Sequence, residues 1–145
     1  MLRIAVIILV IMLAYATVYS TMSIIVPKVV SATGFKAMMG KTLDDAEADG
    51  YLKPLMTGQR NVGIYAFATT MSGFFVLFAG FRKAQKWAWW AFLVVGGIAW
   101  FGGLIISIAI GDMTNMIFQI IGAVLYILGV FLPIKSFFGQ ATGET

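Results

Sequence analysis

The sequence predicts an all-α polytopic membrane protein, in which four transmembrane helices form one bundle and the first extramembrane loop is long. Two observations carry this prediction. Of the 145 residues, 61% are hydrophobic and 11% are charged, whereas soluble domains are about half apolar and about a quarter charged. In addition, four stretches carry no charge and reach the length of about 20 apolar residues that a helix needs to cross a bilayer.

The four uncharged stretches set the predicted domain organisation. A single domain, 1–145, holds helices at about 4–26, 61–81, 87–110 and 116–134, with a loop at 27–59. Continuous apolar runs indicate helices, because barrel strands are short and alternate in polarity. The first run begins after Arg3 and contains Ala14-Tyr15-Ala16, as a cleavable signal would. Because it continues to Val26, we interpret it as a transmembrane helix.

The basic residues predict the orientation in the membrane. Arg82, Lys83 and Lys86 lie within five residues of one another, between the second and third helices, and that connection has no acid. By the positive-inside rule this connection and both termini are cytoplasmic. The opposite side also holds five basic residues, as many as this side, but they are spread from Lys28 to Arg60. The predicted location is therefore the cell membrane, with both termini in the cytoplasm.

The first loop contains two segments that could be helical. Residues 29–39 mix apolar side chains with lysines, which is typical of a short helix in the headgroup layer. Gly34 and Gly40 weaken that interpretation, so an irregular loop stays an equal alternative. Thr42 followed by Asp45 is the pattern of a capping box, which predicts a short helix ending at Gly50.

Three polar residues open the second predicted helix and form a candidate contact for lipid or a partner protein. These are Arg60, Asn61 and Tyr65. An arginine at this depth usually anchors the helix at the membrane surface. Alternatively, Arg60 lies at the mouth of a cavity between helices, where it meets an anionic headgroup or a carboxylate of a partner.

The third predicted helix carries small residues at four-residue spacing and tryptophans at its start. The small residues are Ala99, Gly103, Ser107 and Gly111. This spacing indicates close helix–helix packing, within the chain or with another protein. The tryptophans, which we interpret as interfacial anchors, are Trp87, Trp89 and Trp90.

Two further aromatic residues lie near the middle of predicted helices. Trp100 is in the third helix and Tyr126 in the fourth. Their polar groups need partners in an apolar medium. Candidate partners are Ser107, Gln119, Thr69 and Thr70, which favours a pair satisfied inside the bundle over a ligand site.

The residue types that the sequence lacks narrow the function. The chain has no cysteine and no histidine, and no charged residue lies within the four uncharged stretches. Histidine-dependent hydrolysis, thiol chemistry and imidazole-held metals or haem are excluded, and proton-coupled transport is disfavoured. We expect no catalytic residue, metal or cofactor.

The order of these features resembles that of the small, uncharacterised four-helix membrane proteins of prokaryotes, of the DoxX-like and domain-of-unknown-function type. The resemblance lies in Arg60-Asn61-Val62-Gly63 opening the second helix and Lys86-Trp87-Ala88-Trp89-Trp90 opening the third. It implies the fold and brings no established activity.

The leading functional hypothesis is a non-catalytic accessory or structural subunit of a larger membrane complex. The alternative is a stand-alone binder or carrier of a lipid, quinone or other apolar molecule, with Arg60 and Asn61 at the entrance to its site. The expected partners are membrane lipids and other integral membrane subunits, and no nucleic acid is expected. Formation of a homo-oligomer is left as an open alternative.

Overall fold

The structure, a computed structural model, describes residues 1–139, and within them every regular element is a helix. Residues 140–145, which the predicted domain includes, lie outside the described residues. Four helices are long and apolar enough to cross a membrane: Leu2–Ile25, Leu52–Lys83, Lys86–Ile110 and Met113–Phe138. We refer to them as the first to the fourth long helix. The prediction of four such helices is confirmed.

Each long helix consists of one or more consecutive helical elements. The first is α1 (Leu2–Ile25), and the second is α4 (Leu52–Ala79) with a 3-10 turn at Phe81–Lys83. The third joins α5 (Lys86–Ala91), a π-helical segment (Phe92–Gly96) and α6 (Gly97–Ile110). The fourth is α7 (Met113–Phe131) followed by α8 (Ile134–Phe138).

The segment predicted as a long loop, 27–59, is largely helical. It contains α2 (Pro27–Met39), α3 (Leu43–Ala48) and the first turns of α4. Pro27 stands at the first position of α2, where its missing N–H costs nothing. Gly40, at φ +66°, ends α2 in the left-handed conformation that suits glycine. Of the two open interpretations for residues 29–39, the structure shows the helix.

The capping box predicted at the start of α3 is present. The Thr42 hydroxyl accepts from the Asp45 backbone N–H at 3.3 Å, and the Asp45 carboxylate accepts from the Thr42 backbone N–H at 2.7 Å. The second long helix begins at Leu52, nine residues before the predicted start. The charge-free criterion missed this extension because Lys53 and Arg60 interrupt the apolar run, although charged residues are good helix formers.

The long helices pack in the order second, first, fourth, third. The first helix packs on both α4 and α7, and α7 in turn packs on α6. The second and third helices touch chiefly near the turn that connects them. The short helix α2 contacts α1, α4, α6 and α7, so it covers the end of the bundle opposite that turn.

The core takes buried side chains from all four long helices and is rich in aromatic side chains. At the end of the bundle near residues 81–92, the ring of Phe81 lies 4.8 Å from that of Phe137 and 5.2 Å from that of Phe92. A smaller cluster of Phe35, Ala46, Leu52 and Met56 holds α2, α3 and the start of α4 together. Side-chain clusters therefore hold the helices together at both ends of the bundle, and the second and third helices diverge between these two ends.

Candidate functional site

A cleft of about 620 Å³ lies where the second and third long helices diverge. Its back wall is formed by α1 and α7, and its sides by α4 and the third helix. Along α4 it extends from Val62 to Val76, which is roughly 20 Å at 1.5 Å per residue. The helix order produces the cleft, because no helix fills the space between the second and third.

The cleft opens sideways from the bundle. Five of its lining residues are exposed, and all of them belong to the second or third helix: Val62, Thr69, Ser72, Val95 and Ala99. Those at the back are covered, including Met12 and Leu13 of α1. The mouth therefore opens at the outer surface of the bundle, between the second and third helices. In a membrane protein, this surface is the one that contacts lipid.

The cleft is mainly apolar and its lining carries no charge. None of its nineteen lining residues is Lys, Arg, Asp or Glu. Its polar groups are the hydroxyls of Tyr19, Thr69, Thr70 and Ser72, the Gln119 amide and the Trp100 indole. A largely apolar cavity with a few polar groups is the usual composition of a small-molecule site.

One end of the cleft is closed by a hydrogen-bonded chain. The Tyr19 hydroxyl donates to Asn115 Oδ1 at 3.1 Å, and Asn115 Nδ2 donates to Asp112 Oδ2 at 3.2 Å. Asp112 is 1% exposed and caps α7 by accepting from the Asn115 backbone N–H. A Cβ built on Gly34 of α2 would lie 2.8 Å from Asp112 Oδ2. This close approach explains a glycine within a helix.

The two central aromatic residues differ in how their polar groups are satisfied. Tyr126 donates its hydroxyl to the Leu93 carbonyl at 2.7 Å, within the π-helical segment. None of the partners predicted for Tyr126 is the observed one. Trp100 is 6% exposed and lines the cleft. Among the tryptophans of residues 1–139, the one that donates an indole hydrogen bond is Trp89. The expectation of a satisfied core pair holds for Tyr126 and not for Trp100.

The candidate contact residues at the start of the second predicted helix lie outside the cleft. Arg60 and Asn61 are exposed, and Tyr65 is 73% exposed. Their neighbours Gln59 and Gly63 point inward instead: Gln59 Nε2 donates to Ser23 Oγ at 3.3 Å, and Gly63 packs against Ser23. The structure therefore does not place Arg60 and Asn61 at the entrance to the cleft, and their contact with lipid or a partner stays a prediction.

The small residues of the third helix have different surroundings. Gly103 packs against the Gln119 side chain of α7, and Ser107 is buried with its hydroxyl on the Gly103 carbonyl at 2.9 Å. Ala99 is exposed at the mouth of the cleft, and Gly111 ends α6 at φ +74°. The four residues do not share one partner helix.

The three tryptophans predicted as interfacial anchors separate into two groups. Trp87 and Trp90 are 50% and 53% exposed. Trp89 is 5% exposed and donates its indole N–H to the Val130 carbonyl at 2.9 Å. Trp89 therefore packs inside the bundle, because a helix that packs on one side turns one of three near-consecutive residues inward. The anchor role of the three tryptophans stays a prediction.

Sequence reasoning missed the cleft and the buried position of Asp112. The cleft-lining residues of α4, such as Val62, Ala66, Thr69 and Gly73, follow the helical period, yet in an apolar run that period does not stand out. An Asp one residue before a helix with Asn115 three residues later was a detectable capping signal.

Comparison with protein-family models, with curated proteins and with solved structures returns no match for this chain. The resemblance to DoxX-like and related four-helix proteins therefore stays a prediction.

Proposed function

We propose that the protein is a multi-pass membrane protein that binds an uncharged apolar small molecule, taken from the bilayer, in the cleft between its second and third long helices. The cleft itself carries the proposal. Its volume of about 620 Å³ falls within the range of about 300–1,000 Å³ that is usual for ligand sites.

The surface of the long helices supports a membrane location. Large apolar side chains are exposed on all four, for example Ile7 at 59%, Phe75 at 71%, Ile98 at 71% and Ile117 at 56%. A monomer in water rarely exposes apolar surface on this scale. In a bilayer the same side chains lie in hydrocarbon, and the mouth of the cleft opens into it.

The orientation is part of the proposal. Arg82, Lys83 and Lys86 are exposed around the turn between the second and third helices. A compact cluster of this kind favours the cytoplasmic side. We place that turn and both termini in the cytoplasm, and α2 and α3 on the opposite side.

The residues lining the cleft support binding rather than catalysis. They offer hydroxyls, one amide and one indole, and none of the nineteen is a carboxylate, imidazole or thiol. The hypothesis of an accessory subunit in a larger complex stays a prediction, and the following experiment separates the two.

The test is purification in a mild non-ionic detergent, followed by native mass measurement and by analysis of the extracted small molecules. We expect a retained apolar molecule in a defined ratio to the chain. Stoichiometric co-purification of larger membrane subunits, with no retained molecule, would instead support the accessory subunit.

A variant that fills the mouth of the cleft makes the test specific. A phenyl ring at position 99 would occupy space that a bound molecule needs, and a loss of about 1.4 kcal/mol is about tenfold in affinity. We therefore expect Ala99→Phe to lower retention about tenfold. Ala109→Phe is the matched control, because Ala109 is exposed on the same helix outside the cleft. Equal retention by both variants would contradict the proposed site.

A further inference from the structure

We infer that the cleft recognises an uncharged molecule with a carbonyl group, which accepts hydrogen bonds from the Trp100 indole N–H and the Gln119 side-chain amide. This inference rests on the proposed function and specifies the chemical class of its ligand.

Trp100 provides the first donor. Its side chain is more than nine-tenths buried, and its ring lies against Gly122 of α7 and 5.9 Å from the ring of Phe118. In residues 1–139, no fully buried side-chain nitrogen or oxygen is without a partner. The indole N–H makes no internal hydrogen bond, so it lies at the surface of the cleft that Trp100 lines. There it faces an apolar environment, in which an unsatisfied N–H is costly.

Gln119 provides the second donor, one helical turn away. On the facing helices α6 and α7, Trp100 lies against Gly122 and Gln119 lies against Gly103. Trp100 and Gly103 are about one turn apart on α6, and Gln119 and Gly122 are about one turn apart on α7. The two donors are therefore about 5 Å apart along the bundle. The Gln119 amide lines the cleft. The side-chain hydrogen bonds of the other polar residues in the lining, within the described part of the chain, do not involve it.

The hydroxyls of the cleft already donate their protons elsewhere. Tyr19 donates to Asn115 Oδ1, Thr69 to the Tyr65 carbonyl at 2.9 Å, and Thr70 to the Ala66 carbonyl at 2.8 Å. Ser72 donates to the Ala68 carbonyl at 2.9 Å. The uncommitted donors of the cleft are therefore those of Trp100 and Gln119, and they fit a ligand that brings an acceptor.

The absence of charge among the lining residues decides the type of acceptor. An anionic group in this cleft would have no cation to compensate it, and its desolvation would be far more costly than that of a neutral group. A carbonyl oxygen accepts two hydrogen bonds and brings no proton that needs a partner of its own. Esters of uncharged lipids and quinones share this chemistry.

The test compares three probes on the purified full-length chain in non-ionic detergent: decylubiquinone, dioctanoylglycerol and hexadecane. Retention of each is measured after equilibrium dialysis. We expect at least one carbonyl probe to be retained more strongly than hexadecane. Retention of the quinone alone or of the ester alone identifies the source of the carbonyl, and either result supports the inference.

Variants of the two donors isolate the hydrogen bonds. A hydrogen bond contributes about 0.5–1.5 kcal/mol, so we expect Gln119→Leu and Trp100→Phe each to weaken retention of the carbonyl probe by about threefold to tenfold. Retention of hexadecane should stay unchanged. Trp90→Phe is the control, since Trp90 is 53% exposed and lies outside the cleft.

A measurement on the unaltered chain does not depend on the folding of the variants. The infrared C=O stretch of the retained, isotope-labelled probe should lie at lower frequency than that of the same probe in hexadecane. An unshifted stretch would overturn the inference, as would equal weakening of carbonyl probe and hexadecane in the donor variants. These outcomes leave the cleft as a binding site. Failure of the unaltered chain to retain any of the three probes would overturn the proposed function as well.

Discussion

Gly122 sets the position of Trp100, and through it the shape of the side of the cleft that the third helix forms. The indole ring occupies the space that a side chain at position 122 would take, and a Cβ built there would overlap the ring. The ring packs on α7 and also lines the cleft. A single missing methyl group thus lets a large aromatic residue lie between two helices at close distance.

The substitution Gly122→Ala tests this packing. We expect it to lower the free energy of unfolding by about 1–3 kcal/mol, because the ring must move out of a filled core. Gly102→Ala is the matched control: it lies on α6, and a Cβ there meets nothing within 4 Å. The control should leave stability unchanged or raise it slightly, since alanine favours a helix over glycine by about 1 kcal/mol. Unfolding in graded denaturant, followed by circular dichroism, measures both. Equal stability of the two variants would contradict the packing.

Asp112 shows what a rule based on charge cannot predict for a single residue. Asp112 lies outside every uncharged run, and the structure buries it to 1% exposure. Its burial depends on two hydrogen bonds from Asn115 and on α2 passing over it at Gly34. The capping pattern is local and can be recognised in the sequence. The residue of α2 that covers Asp112 lies 78 residues earlier in the chain, so no sequence pattern near Asp112 predicts that contact.

At the scale of elements, apolar length predicted the first and third helices closely, the fourth less closely and the second poorly. The third starts at Lys86 against a predicted start of 87, whereas the second starts at Leu52 against 61. A charge-free run measures what can lie in hydrocarbon, and a helix can extend beyond it into water. Pro54 did not prevent this extension, because it stands in the first turn, where no intrahelical N–H is needed.

The π-helical segment at Phe92–Gly96 was also beyond sequence reasoning. Its Leu93 carbonyl accepts from Tyr126 on another helix, and the Tyr126 ring occupies the space beside Gly96. Such distortions respond to tertiary contacts. They therefore depend on which helices are neighbours, which the apolar pattern of a single helix does not record.

The capping box of α3 makes a prediction about pH. The Thr42 backbone N–H and hydroxyl, which donate to the Asp45 carboxylate at 2.7 and 2.8 Å, hold the pKa of Asp45 below its ordinary value. Because the folded pKa is depressed, the support that this carboxylate gives α3 is present above the unfolded pKa. It is lost as the pH falls through the folded value.

Thr42→Ala removes the hydroxyl and keeps the backbone donor. We expect the pKa of Asp45, followed by NMR of its carboxyl carbon, to rise part of the way to its ordinary value, with loss of helical amide protection in α3. Thr33→Ala, an exposed change on α2, is the control. An Asp45 titration that is the same in both variants would show that the hydroxyl does not contribute.

At the scale of the whole molecule, the order of the helices is what the sequence could not supply. The small residues at 99, 103, 107 and 111 predicted contact with a helix and left its identity open. In the structure Gly103 packs on α7, while Ala99 faces the cleft. Membrane helices pack through shape, and nearly every face of these four is apolar, so one sequence pattern fits several arrangements.

The proposed topology predicts how the chain is labelled from each side of the membrane. The chain has no cysteine, so a single introduced cysteine reports one position. Gln85 and Asp44 are exposed at opposite ends of the bundle. In intact cells we expect a membrane-impermeant maleimide to label Asp44→Cys and to label Gln85→Cys only after permeabilisation. The reverse pattern would invert the orientation, and labelling of both in intact cells would contradict a membrane-spanning bundle.

The cover formed by α2 determines how a bound molecule would reach the cleft. With α2 across one end and the aromatic cluster of Phe81, Phe92 and Phe137 at the other, the remaining path is sideways between the second and third helices. In a bilayer, as proposed, exchange along this path would be diffusion in two dimensions. Occupancy of the cleft would then depend on the mole fraction of the ligand among the surrounding lipids. Diluting a membrane suspension with buffer would leave the site filled. Diluting the membrane with added lipid would empty it.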